Sequence, residues 1–144
     1  MAIVSSLTAF CDMLGSQIGS QVFLGFPDDT APGIYVWPWL LQENTITKHF
    51  PSSTNPDDKG PKKLSPIDVH VLILVRPALT IDGLSRLEAV RQTIRDRPIL
   101  NISEELYANI LIDNMDGSTL SALFSAASLP FTICLSVVLH QIHK

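Results

Sequence analysis

The hydrophobic pattern is clearest between Pro66 and Arg95. Ile67, Val69, Val71, Ile73 and Val75 recur at every second position, while Leu72 and Leu74 fill the opposite side. A period of two with apolar residues on both sides predicts a strand covered on both faces, hence a central one. The period then changes. Leu84, Leu87, Val90 or Arg91, and Ile94 form one stripe of a helix, with Arg86, Glu88, Gln92 and Arg95 toward water. Pro98 stops that helix by Arg97, because proline lacks an amide donor and pushes its predecessor out of the helical region.

Toward the amino end, Ile3, Leu7, Phe10 or Cys11, Leu14 and Ile18 keep a helical spacing, predicting an amphipathic helix over 2–18. Ser5 or Ser6 is suited to cap a slightly later start, and Gly15 and Gly19 suit its exit. The stripe reads as a layer over a sheet; a helix lying on a membrane would carry more basic residues. Residues 21–27 read as a short strand ended by Pro27, and residues 28–33 as a turn-rich connection. A second strand follows from Ile34 to about Gln42, with Tyr35, Trp37 and Trp39 alternating with Ile34, Val36, Pro38 and Leu40. Pro38 cannot donate to a ladder, so this strand lies at an edge, contains a bulge, or turns that position outward.

Residues 45–65 are polar and broken by Pro51, Pro56 and Pro61, which predicts a long loop centred on 46–64. A connection of that length is functional or disordered more often than idle. It reads either as a solvated insertion or as an arm that orders against a neighbour. Its Asp57 and Asp58 precede Lys59, Lys62 and Lys63, a mixed-charge pattern unlike a phosphate grip.

Past the central helix, Leu106, Ala108, Ile110 and Ile112 alternate with Tyr107, Asn109 and Leu111, predicting a strand over 105–112. Ser103, Glu104 and Glu105 would alternatively open a helix. A short helix capped by Asp116 or Ser118 presents Leu120, Leu123 and Phe124, and Pro130 closes it. In the last strand Phe131, Ile133, Leu135, Val137 and Leu139 oppose Thr132, Cys134, Ser136, Val138 and His140. The expected class is α/β of the α+β type, with helices covering a mixed or mostly antiparallel sheet. The expected organisation is a single domain over residues 1–144, without internal repeats.

Composition changes this picture in one respect. The charged fraction is 17% where about 25% is usual, which favours a surface partly covered by partners. The formal charge of −4 gives no basic footprint for a nucleic acid. The amino end lacks the basic start of a secretory signal, and no run nears the about eighteen apolar residues of a membrane span. A soluble, cytoplasmic protein is expected.

Chemistry is hard to find. Cys11 and Cys134 read as free, packed thiols, and His49, His70, His140 and His143 have no zinc spacing with them, so no metal or cofactor is expected. Asp28–Asp29, Asp57–Asp58 and Glu104–Glu105 are adjacent pairs without the separation and contrasting environments of catalytic carboxylates. Residues 113–118 resemble a calcium loop only in their first positions and lack its later glutamate. No nucleophile elbow, phosphate loop or zinc-protease motif is present. His70 reads as a satisfied sheet or interface histidine, and Arg76 as a strand-end cation suited to Asp82, Glu88 or a neighbouring subunit. A small hydrolase with a spatially assembled Cys/His or Ser/His site is the least favoured alternative, and the chain is expected not to be an enzyme.

Taken in order, GIYVWPWLLQEN, SPIDVHVLILVRPALT, LEAVRQTIRDRPIL and LPFTICLSVVL resemble the N-terminal domain family of cap, or tail-terminator, proteins of phage-tail-like contractile injection systems. The matching positions are Gly33, Ile34, Val36, Trp37, Trp39, Glu43 and Asn44, then Pro66 with Val69, Val71, Leu72 and Leu74. They continue through Leu87, Val90, Ile94, Pro98, Ile99 and Leu100 to Leu123, Phe124, Pro130, Phe131 and the strand at 135–139. Pro38, Leu40 and Arg76–Pro77 depart from the pattern.

The resemblance implies a compact tail-terminator domain that assembles as a sixfold ring at the end of tube and sheath remote from the baseplate. Its implied partners are further copies of itself and the terminal tube and sheath subunits, within an injection particle. The candidate interface is Tyr35, Trp37 and Trp39 on the second strand, Lys48, His49, Phe50, Asp57, Asp58, Lys59, Lys62 and Lys63 in the loop, and Arg76. An adaptor or baseplate component that binds one partner without forming a ring is the alternative.

Overall fold

In the computed structural model, residues 2–25, 31–43, 66–130 and 132–143 are described. The central segment is strand β3, Ile67–Arg76. It follows, in chain order, helix α1 (Ala2–Ile18), strand β1 (Val22–Leu24) and strand β2 (Gly33–Glu43). After it come helix α2 (Ile81–Asp96), strands β4 (Ile99–Asn101) and β5 (Leu106–Asp113), helix α3 (Gly117–Ala126) and strand β6 (Leu135–His143). Among the described residues the sheet has six strands in the order β1-β2-β3-β6-β5-β4, so β3 is interior as its two-sided apolar pattern requires. Of these pairs β1–β2 is parallel and the others are antiparallel. The result is a mixed, largely antiparallel sheet packed against helices.

The period of two divides the core. Val69, Val71, Ile73 and Val75 of β3 join Ile34, Val36, Val137 and Leu139 beneath Leu7, Phe10 and Leu14 of α1 and Val90 and Ile94 of α2. Leu72 and Leu74 point the other way, with Tyr35, and meet Phe124 of α3. Helix α1 contacts both β1 and β4, the two edge strands, so the twisted sheet curls around it.

Local chemistry sets the boundaries. Thr80 caps α2 by accepting a bond from the Gly83 amide at 3.0 Å, and Arg97, just before Pro98, ends it. Asp116, not Ser118, caps α3, accepting from the Thr119 amide at 2.7 Å. Gly19 leaves α1 at φ 74°, in the left-handed region that glycine enters without steric cost.

Several expectations are corrected. Helix α1 begins at Ala2, so neither Ser5 nor Ser6 caps it; Ser6 lies buried inside, donating to the Ala2 carbonyl at 2.6 Å. Leu84 is exposed because Gly83 takes the inward position and lets the helix approach the preceding turn. The strand expected over 105–112 is present as Leu106–Asp113, so the alternative helix from 103–105 falls away, and Ile99–Asn101 forms a further, unexpected short strand that hairpins onto it. Strand β6 starts at Leu135, leaving Ile133 exposed, and runs on to His143. Ile112 is also exposed, near the end of β5.

Pro38 is accommodated in two of the ways its chemistry allows. Strand β1 pairs only with Ile34–Val36, so beyond Val36 no described strand lies on the outer side of β2. On the inner side the register shifts between Pro38 and Leu40, leaving Trp39 as an inserted residue opposite β3.

Candidate functional site

The candidate surface grows from that irregular stretch of β2. Before the bulge, Tyr35 faces α3, stacked on Phe23 with ring centroids 4.9 Å apart. Its hydroxyl donates to the Ala31 carbonyl at 2.7 Å, and its side chain is 2% exposed. Tyr35 therefore belongs to the packing of this chain. Trp37 is half-buried, with its ring edge-on to Phe124 at 5.9 Å. Trp39 is also half-buried, and the bulge brings its ring edge-on to His70 at 5.6 Å. The Trp39 indole nitrogen is buried with no hydrogen-bond partner among the described residues.

Below the tryptophans, toward the end of the sheet where β2 leaves, polar side chains replace apolar ones. Register places Gln42 beside Asp68, Asp68 beside His140, and His140 beside Asn109, a row crossing four strands. His70 Nε2 lies 2.9 Å from Gln42 Oε1, and His140 Nδ1 lies 2.7 Å from Asp68 Oδ1. His70 is thus a partnered sheet histidine. Arg76 stands at the opposite end of β3, beside Gly33; its carbonyl accepts from Arg86 Nη1 at 3.2 Å. Glu88 pairs with Arg91 at 3.0 Å. Of the sequence candidates, the fold brings Trp37 and Trp39 together on one rim and leaves Arg76 at the other end. Lys48, His49, Phe50, Asp57, Asp58, Lys59, Lys62 and Lys63, with the loop at 46–64, lie outside the described residues.

The nucleophile candidates are separated. Cys11 packs with the α1 side of the sheet and Cys134 with the α3 side, and both thiols are free. Burial, and then the Asp12 carboxylate, pushes the Cys11 thiol up to about 11; burial also raises that of Cys134. Both stay protonated and weakly nucleophilic at neutral pH. Ser136 lies four residues from His140 along β6, roughly 13 Å away, beyond the reach of an acid–base pair. A shallow groove of about 470 Å³ is lined by Gln17, Thr93, Asp96 and Arg97, and the Thr93 hydroxyl there donates to the Ala89 carbonyl at 2.7 Å. Among the described residues no group of three His, Cys, Asp or Glu could hold a metal ion, and no helix is long and apolar enough to cross a membrane.

Sequence reasoning missed two features. Gln141, 1% exposed, donates through Nε2 to Ser6 Oγ at 2.8 Å and accepts from the Ile67 amide at 3.2 Å, tying α1 to β6 and β3. Its only signal was a polar residue continuing an apolar strand. The turn into α2 carries Leu79 and Ile81 at 83% and 85% exposure. Their mark was two large apolar residues beside a capping threonine.

No protein-family model matches the chain, and no curated protein matches it. Among solved structures it is similar to the PVC sheath/tube terminator of an extracellular contractile injection system, determined by cryo-EM in the extended state. The TM-score is 0.69 at 12% sequence identity, covering 100% of this chain and 57% of the other. At that identity the likeness is one of fold: this chain has, along its whole length, the fold of part of a sheath/tube terminator.

Proposed function

We propose that this chain is a structural terminator of a contractile injection system, closing tube and sheath at the end distal to the baseplate as one copy of a sixfold ring. The observation that carries the reading is the whole-chain fold match to a sheath/tube terminator. The two-sided sheet supports it as a rigid frame, since central β3 is covered by α1 and α2 on one face and α3 on the other. Rim residues Trp37 and Trp39, the loop at 46–64 and Arg76 are the proposed contact residues, with aromatic area supplying affinity and polar groups supplying register. Closure into a ring requires a heterologous contact whose rotation returns to its start.

The test is reconstitution with tube and sheath subunits, followed by electron microscopy of particle ends and by particle lengths. The expected outcome is a sixfold density at the end remote from the baseplate and a narrower length distribution than without the chain. Particles whose ends and lengths are the same with and without it would sink the proposal. A single copy bound at the baseplate would replace it with the adaptor reading.

A further inference from the structure

We draw no further inference here: the strongest candidate, the surface patch of exposed Leu79, Ile81 and Leu84 on the turn into α2, carries none, because nothing in the structure shows what covers it.

Discussion

Single residues decide how closely the elements approach. Gly83 is helical, so its requirement is space: the Pro77 carbonyl occupies the volume a Cβ would need. Gly83→Ala is therefore expected to destabilise by ~2 kcal/mol or more, despite alanine's better helix propensity. A lower urea midpoint at an unchanged slope would show it; a midpoint equal to or above wild type would mean the turn gives way freely. Gly33 is constrained differently, with φ at 154° and the Gln21 carbonyl 2.7 Å from an added Cβ. Gln141 shows the same dependence in polar form. Gln141→Leu keeps the volume but strands the Ile67 amide and part of the Ser6 hydroxyl's bonding, an expected loss of ~1–3 kcal/mol. Because Ser6 and Gln141 bond each other, the Ser6→Ala/Gln141→Leu chain should lose less than the sum of the single changes. Strict additivity in a double-mutant cycle would show that the network carries no coupling.

At the scale of elements, what was legible in the sequence followed from the strength of the local period. The strand at β3 and the helix after it were readable because ten strand residues alternate without interruption and Pro98 marks the stop. The mixed sheet with helical cover was readable for the same reason. Strand β4 was not, since three residues carry no period, and it exists only because β5 pairs with it. The Pro38 stretch was half legible: proline chemistry foretold an edge or a bulge, but the shortness of β1, which makes both true, is a tertiary fact. Tyr35, a candidate for the contact surface, is packed under α3, because alternation alone does not say which face a helix from later in the chain will cover.

Helix α3 was legible through its cap, and the cap has a pH signature. The Asp116 carboxylate sits below its ordinary value of 3.8, chiefly through hydrogen bonds from the Thr119 amide and hydroxyl and then from Ser118. A lowered folded-state value means the charged form contributes stability in full above 3.8, and that contribution fades as pH falls toward the lower folded value. Asp116→Asn keeps a capping oxygen without the titration. The wild-type advantage over it, measured by chemical denaturation, should be present at pH 7 and shrink below pH 3.8. An advantage that is the same on both sides of that value would show that the charge does not contribute.

Across the whole molecule, stability should fall from the centre of the sheet outward. Strands β3 and β6 have strands on both sides, with apolar cover on both faces of β3 and on the Val137–Leu139 face of β6, whereas β1 and β4 are three-residue edges. Local opening costs least where few buried contacts and few ladder bonds must break. Amide exchange should therefore be slowest at Val69–Leu74 and Val137–Leu139, and fastest at Val22–Leu24 and Ile99–Asn101. The same measurement separates frame from contact surface. If the chain meets tube or sheath through the rim of β2, assembly should slow exchange at 37–43. The central strands, already protected, should change little. Protection gained only around the groove at Gln17, Thr93, Asp96 and Arg97 would place the contact elsewhere, away from the tryptophan rim.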